Sequence, residues 1–397
     1  MKTGMKAGLL LGIAVLLPGC KGFWDLPTNS GSGSGGTTPT TLSSGVFYVI
    51  NQTAKTIDGY AISSGTLQVV SGSPYSLSAA PSCIAVASGG GFLYVGTVNG
   101  IYLYSVGSGG ALTLANNGNP ISTDIAGAMQ VSGSWLVDAF IAASGSVQLD
   151  AIPINASTGA YAGSGGAPPL QTFSVANAAV KQMVLSPDGD NLFVALGSGG
   201  TIVVPFTSGN SNPLGGTAKT IPVVNSSGAA LSVAVDPTNR LFYVGETLAN
   251  SSANSGGLVV YNYTSLGGTL TQAAGSPIAS AGLAPNAILP EASGQYVYVA
   301  NGQGTTAAGN IAWFSITASG TTYTVASGNT VASGIVPVGL AEDSKNNFVL
   351  AVSTGGSTSS GDPDLDAYTM SSGALTSAIT STTGTDPVGA IAVAALP

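Results

Sequence analysis

The chain has 397 residues and a formal net charge of −8, with 44% hydrophobic and only 6% charged residues. It contains no histidine, which excludes Ser-His-Asp and Cys-His catalysis and every histidine-ligated metal site. The eight basic residues form no patch that could neutralise a row of phosphates, so the composition argues against nucleic acid as a partner.

Residues 1–19 have the pattern of a bacterial secretory signal peptide. A basic start is followed by the apolar run Ala7–Leu17, which is too short to span a bilayer. The run ends in Leu-Pro-Gly-Cys, which resembles a lipobox with Cys20 as the lipid-accepting residue. The alternative is an ordinary secretory signal that happens to contain a cysteine.

Residues 20–44 are predicted to form a lipidated cysteine followed by a flexible tether. The stretch is rich in Gly, Ser and Thr, and this composition buries too little apolar surface to order itself. Lysine rather than aspartate at position 21 implies, by resemblance to Gram-negative lipoproteins, sorting to the outer membrane. We therefore expect a cell-envelope protein that contacts the membrane through its N-terminal lipid.

A short phrase of aromatic and aliphatic residues recurs seven times in residues 45–397, at steps of roughly 42 to 57 residues. Its copies are Phe47-Tyr48-Val49, Leu93-Tyr94-Val95, Trp135-Leu136-Val137, Leu192-Phe193-Val194, Phe242-Tyr243-Val244, Val297-Tyr298-Val299 and Phe348-Val349-Leu350. Each copy is flanked by further strand-like runs and turn residues, and no helical period follows residue 25. This pattern predicts an all-β, seven-bladed β-propeller of four-stranded blades.

The two ends of the repeat region are complementary. The first repeat begins directly at its aromatic phrase and lacks a preceding apolar strand, whereas residues 386–393 supply such a strand at the other end. We expect the C-terminal strand to join the first blade and to close the ring, which would remove an exposed sheet edge.

Several stretches resemble lactonase-type seven-bladed propellers, the 6-phosphogluconolactonase-like and YVTN-repeat proteins. These are Ser186-Pro187-Asp188-Gly189, Phe242-Tyr243-Val244-Gly245, Gly268-Thr269-Leu270-Thr271 and Gly275-Ser276-Pro277. The resemblance covers residues 45–397 and implies the fold, whereas propellers of this kind include both enzymes and non-enzymes.

The residues leave two functions open. Catalytic histidine and arginine residues of related enzymes have no counterpart here, since histidine is absent and Arg240 is the only arginine. We therefore expect a monomeric binding or scaffold module that takes a protein or carbohydrate ligand on a propeller face. The alternative is a lactonase-like hydrolase that uses channel carboxylates or a metal.

Candidate site residues follow from loop lengths and carboxylates. Asp362, Asp364 and Asp366 alternate before a strand and could offer oxygen ligands to Ca²⁺. The alternative is a solvated turn that leads into the strand, with Asp366 facing outward. Apart from such a Ca²⁺ ion, no cofactor is expected. Long connections in the fifth to seventh repeats predict a ligand rim on one face. Its candidate residues are Glu246, Asn301, Asn310 and Lys181.

Overall fold

The protein is described here from a computed structural model. The structure describes residues 45–63, 66–163, 167–249, 255–264, 269–304, 307–320, 322–355, 364–380 and 389–397. Within these ranges the chain forms 29 β-strands and two short 3₁₀ turns, Ser108–Gly110 and Asn116–Gly118. None of the helices in this part is long and apolar enough to cross a membrane.

The strands of the first half of the chain are β1 (Gly45–Asn51), β2 (Thr56–Ser63), β3 (Thr66–Val69), β4 (Tyr75–Ser76), β5 (Pro81–Val86), β6 (Phe92–Thr97), β7 (Gly100–Val106), β8 (Leu112–Leu114), β9 (Ala128–Ser132), β10 (Trp135–Ile141), β11 (Val147–Pro153), β12 (Leu170–Phe173), β13 (Gln182–Leu185), β14 (Asn191–Ala195), β15 (Thr201–Pro205) and β16 (Lys219–Ile221). Those of the second half are β17 (Ala230–Val235), β18 (Leu241–Glu246), β19 (Gly257–Thr264), β20 (Thr269–Gln272), β21 (Ile278–Ala279), β22 (Ala284–Pro290), β23 (Tyr296–Gly302), β24 (Ala308–Ser319), β25 (Thr322–Glu342), β26 (Phe348–Gly355), β27 (Leu365–Ser371), β28 (Ala374–Thr380) and β29 (Ala390–Ala395).

Antiparallel four-stranded units recur along the chain. The sheets β5-β6-β7-β8, β9-β10-β11-β12, β13-β14-β15-β16 and β17-β18-β19-β20 each join four consecutive strands. We number these units two to five and their strands first to fourth. Unit one is β29-β1-β2-β3, in which β1 pairs with the C-terminal strand β29, with Tyr48 opposite Ala394.

The remaining described strands, β22 to β28, form one seven-stranded sheet. Its middle strand β25 has 21 residues, and its two halves have different partners. Ser327 in the first half lies opposite Phe314 of β24, whereas Ala341 in the second half lies opposite Leu350 of β26. The sequence predicted two separate strands here. The sheet can be divided into units six and seven, which share this continuous strand.

The hydrophobic core lies between the units. Seven clusters of buried apolar side chains occur among the described residues, and each combines residues of two neighbouring units. One of them joins unit seven to unit one through residues such as Val352 and Phe47, both fully buried. Because strands expose two apolar faces, each sheet must be covered on both sides, which explains the aromatic and β-branched composition of the repeated phrase.

Side chains on the first strands bind the next unit's backbone. Four such hydrogen bonds are Ser82 Oγ to Ala126 O (2.6 Å), Val233 N to Gln182 Oε1 (3.1 Å), Ser232 Oγ to Pro285 O (2.7 Å) and Asn286 Nδ2 to Pro337 O (2.9 Å). They satisfy backbone groups at or beside the first-strand edges of the sheets, where no further strand is available to do so.

Candidate active site

We call one end of each unit its upper end. At this end the first strand begins and the second strand ends. In five units a β-bulge interrupts the pairing of these two strands there, and bulges commonly redirect side chains next to functional sites. The bulged residues are Ser82, Leu231, Asn286, Val338 and Ile391. Opposite each bulge the second strand carries a buried polar residue: Thr97, Glu246, Asn301, Ser353 and Asn51, respectively.

Two rim candidates from the sequence, Glu246 and Asn301, belong to this buried set. Glu246 is 1% exposed, and its Oε2 accepts the backbone N–H of Val224 at 2.8 Å. Burial raises the pKa of Glu246 to about 7. Asn301 Nδ2 donates to Ser280 O at 2.6 Å, so each of the two side chains holds the loop that enters its own unit from the preceding one.

The other candidates lie apart from one another. Asn310 Nδ2 donates to Ala281 O (2.9 Å), and its Oδ1 accepts from Asn301 Nδ2 (3.1 Å), which adds to the same loop anchor. Lys181 is exposed just before β13, and its backbone N–H donates to Ala195 O. The structure thus brings only the two asparagines into contact.

The proposed calcium ligands lie in unit seven. Asp362 lies outside the described residues. Asp364 and Asp366 are buried, 8% and 5% exposed, where the sequence alternative of a solvated turn has Asp366 facing outward. Within the described ranges no group of three Asp, Glu, Cys or His residues could hold a metal ion.

The third unit contains a group of carboxyls that the candidate residues did not include. Asp138 on β10 is fully buried, and it lies directly opposite Asp150 on β11. Asp124, in the loop before β9, accepts a hydrogen bond from Ser122 Oγ and interacts electrostatically with both other carboxyls. We call Asp124, Asp138 and Asp150 the carboxyl cluster.

Asp138 has an unusual environment. In the described part of the chain no donor makes a hydrogen bond of normal geometry to either of its carboxylate oxygens. The backbone N–H groups of Asp138 and Asp150 are close enough to favour its charged form slightly. A buried polar group without partners is costly, and a catalytic role is one of the explanations for such a group in a native protein.

Burial and mutual repulsion separate the protonation states of the cluster. Desolvation, then the charges of Asp124 and Asp150, raise the pKa of Asp138 well above its usual value. Desolvation, then Asp124, raises the pKa of Asp150 to about 6. Burial therefore favours the protonated form of Asp138, while the partly exposed Asp150, with a pKa of about 6, is mostly ionised at neutral pH. Carboxyls whose environments raise their pKa values in this way are common at acid-base sites of enzymes.

A signal for Asp138 is present in the sequence. It directly follows the third repeat of the aromatic phrase. At that position the other repeats have Ile50, Gly96, Ala195, Gly245, Ala300 and Ala351. Asp138 is thus the single charged residue at a position that is otherwise apolar or small, within a strand that packs against unit two.

Two other side chains that could take part in chemistry, those of Cys83 and Arg240, already make hydrogen bonds within the protein. Cys83 is a free, buried cysteine whose Sγ donates to Ala126 O at 3.3 Å, and burial raises the pKa of its thiol to about 12. Arg240 donates to both carboxylate oxygens of Asp236, at 3.0 and 2.7 Å, and to Gly294 O at 2.6 Å. The guanidinium of the only arginine is therefore neutralised, and it joins unit five to unit six.

The strands and their packing define an all-β protein with a lactonase-like β-propeller fold. A protein from Bacteroides uniformis, provisionally assigned as a 6-phosphogluconolactonase, has a similar structure. Its TM-score is 0.67 at 16% sequence identity, over 88% of this chain and 99% of that chain. The periplasmic gluconolactonase of Pseudomonas aeruginosa gives a TM-score of 0.64 at 17% identity, over 89% of this chain and 99% of that chain.

A β-propeller domain from Myceliophteria thermophila is also similar, with a TM-score of 0.51 at 13% identity over 76% of this chain and 85% of that chain. No protein-family profile matches the chain, and no curated protein sequence matches it significantly. At these identities the similarity concerns the fold, so the chemistry has to be argued from the residues themselves.

Proposed function

We propose that this protein is a lactonase-like hydrolase whose carboxyl cluster catalyses the addition of water to the carbonyl group of a lactone. The observation that carries the proposal is the juxtaposition of the fully buried Asp138 and the partly exposed Asp150, both with raised pKa values, in a fold shared with a gluconolactonase. This reading takes the place of the binding or scaffold module that the sequence favoured, because the comparisons support the hydrolase alternative better.

The fold proposal is a closed ring of seven blades. Two observations support it: the seven described apolar clusters join successive units, including the last to the first, and β29 pairs with β1. A ring would place the seven first strands around a central channel and the upper ends of all units on one face.

The proposed reaction needs a group that acts first as a base and then as an acid, and Asp150 serves in both steps. Asp150 removes a proton from water as the oxygen attacks the lactone carbonyl carbon, and the acyl C–O bond of the ring then breaks. The proton on Asp150 passes to the departing ring oxygen, so lactone and water give one hydroxy acid. Asp124 orients the water molecule or the substrate. Asp138 is buried behind them, directly opposite Asp150, and positions Asp150 from the facing strand.

The charge distribution favours an uncharged lactone. Binding a phosphate dianion requires charge-assisted hydrogen bonds, usually from Arg or several Lys side chains. Here Arg240 is paired with Asp236, histidine is absent, and the net charge of −8 repels anions. We therefore expect glucono-1,5-lactone to be a better substrate than its 6-phosphate.

The proposed location is the cell envelope, with a lipid on Cys20 and the outer membrane as destination. Residues 1–44 lie outside the described residues, and the proposal rests on their sequence pattern. One similar structure is that of a periplasmic protein. A Cys20→Ser variant should move from the membrane fraction to the soluble fraction. Membrane retention of that variant after carbonate and salt washes would contradict lipid anchoring.

Hydrolysis of glucono-1,5-lactone, followed by pH-stat titration with and without added Ca²⁺, tests the activity. Asp150→Asn should lower kcat/KM at least about a hundredfold, as expected for loss of general base catalysis. Asp124→Asn should also lower kcat/KM, because the water molecule or the substrate loses its orienting group. Asp190→Asn, in an exposed turn at the opposite end of unit four, is the control and should keep the wild-type rate. Wild-type activity in the Asp150 variant would contradict the role of Asp150 as the base. Absence of any lactone hydrolysis would contradict the hydrolase proposal and favour the binding or scaffold module instead.

A further inference from the structure

Large apolar side chains are exposed at the upper ends of units two and three. Val98 and Ile125 are 54% and 57% exposed. Each could lie in water harmlessly if it were isolated, but exposed apolar groups that occur together next to a polar site commonly mark a binding surface. We call these two residues the apolar strip.

The backbone holds the strip beside the carboxyl cluster. Ile125 directly follows Asp124 in the loop that enters unit three. The turn containing Val98 lies against the same loop, because the N–H of Ile101 donates to Ser122 O at 2.9 Å. Gly100 allows this close approach, since a Cβ atom there would lie 2.4 Å from Ser122 O and the residue has φ of +117°.

The same loop lies against the second strand of unit three. The N–H of Gly127, two residues after Ile125, donates to Ala139 O at 2.8 Å, and Ala139 directly follows Asp138. The loop that carries Asp124 and Ile125 therefore runs along the upper end of the strand that carries Asp138. The described lysines are at positions 55, 181, 219 and 345, all outside units two and three.

We infer that the substrate is an uncharged lactone with an aliphatic substituent, whose ring reaches the carboxyl cluster while its chain lies on the apolar strip. The inference rests on the proposed function and defines its substrate class. An aliphatic substituent on the lactone gains binding free energy from contact with exposed Val and Ile side chains, and it requires no cationic group on the protein. A sugar lactone, in contrast, would present hydroxyl groups to this surface.

A series of δ-lactones with alkyl substituents of zero to five carbons, assayed with the purified full chain, tests the inference. A fully buried methylene contributes about 0.8 kcal/mol, so a half-covered one should raise kcat/KM about twofold per carbon. The ratio of kcat/KM between the longest and shortest lactone should therefore be about thirtyfold. Val98→Ser and Ile125→Ser should each reduce this ratio severalfold.

Leu170→Ser is the matched control, because Leu170 is 48% exposed on the fourth strand of unit three, away from the upper-end loop. It should leave the ratio unchanged. Hydrolysis at a rate that is independent of chain length, or an unaltered ratio in both strip variants, would overturn the substrate class while leaving lactone hydrolysis in place. Failure to hydrolyse any member of the series or glucono-1,5-lactone would overturn both.

Discussion

The phenol of Tyr48 donates a hydrogen bond to the carbonyl oxygen of Gly110 across the boundary between units one and two. Tyr94 makes the same contact one unit further on, to Gly159 O at 2.9 Å. Both tyrosines are the middle residue of the repeated aromatic phrase. The phrase therefore encodes more than a hydrophobic strand, since its tyrosine connects each of these units to a turn of the next one.

This contact predicts the effect of removing one hydroxyl group. Tyr48→Phe leaves the buried carbonyl of Gly110 without its donor, and we expect the free energy of unfolding to fall by about 1–2 kcal/mol. Tyr102→Phe, at a partly exposed ring on β7, should change it by less than about 0.5 kcal/mol. Urea denaturation of both variants measures the difference. Equal losses would show that the Tyr48 hydroxyl contributes nothing specific.

The raised carboxyl pKa values predict an unusual pH dependence of stability. Burial raises the pKa of Asp150 to about 6, that of Glu246 to about 7 and that of Glu342 to about 8. The folded state therefore binds more protons than the unfolded state between about pH 4 and pH 8. Unfolding free energy should fall as pH rises through this range. A melting temperature that increases from pH 5 to pH 8 would contradict this prediction.

Asp138 offers a sharper version of the same test. Asp138→Ala installs the residue that three other repeats have at this position, and it removes a buried carboxyl that lacks hydrogen-bond donors. We expect a higher melting temperature at pH 8 than in the wild type, a weaker dependence on pH, and a loss of lactone hydrolysis. A variant that is less stable than the wild type at pH 8 would show that the carboxyl contributes to folding.

Arg240 should be essential for the contact between units five and six. Asp236 has a fully buried side chain, so Arg240→Ala would leave its carboxylate without a cationic partner and should cost about 3 kcal/mol or more of stability. Arg240→Lys keeps the charge but loses the two hydrogen bonds to the two carboxylate oxygens of Asp236. The stability of this variant should therefore lie between those of the wild type and the alanine variant. The melting temperatures of the wild type and of the two variants measure this order of stability. A lysine variant as stable as wild type would contradict the geometric argument.

The pairing of β29 with β1 can be tested by truncation. A chain that ends at Gly384 lacks β29, which leaves the backbone groups of β1 without partners at one edge. We expect broad, non-cooperative unfolding or aggregation through the opened edge. An unchanged, sharp melting transition of the truncated chain would show that unit one does not depend on its C-terminal strand.

The repeat pattern predicted the strands well, because alternation and turn residues act along the chain. All seven aromatic phrases lie in second strands, from Phe47 in β1 to Phe348 in β26. The continuous strand β25 was not predicted, since a bulge and the left-handed Val336 let it serve two units without an intervening turn. The period of a sequence does not reveal such sharing.

The candidate site was harder to predict for a physical reason. Glu246 and Asn301 follow strands before long connections, which suggested exposure, whereas the structure uses them to satisfy backbone groups of neighbouring loops. The environment of Asp138 arises from residues on another strand and in a preceding loop, Asp150 and Asp124. Pairing across strands and packing between units decide such contacts, and neither is visible in the local pattern.

The pairing of β1 with β29 also determines when unit one can finish folding during synthesis. Tyr48 leaves the ribosome early, but its partner Ala394 is made only after all the intervening units. Contacts of such large sequence separation form slowly, and an emerging chain exposes the unpaired strand in the meantime. Unit one therefore becomes complete last, although it is translated first.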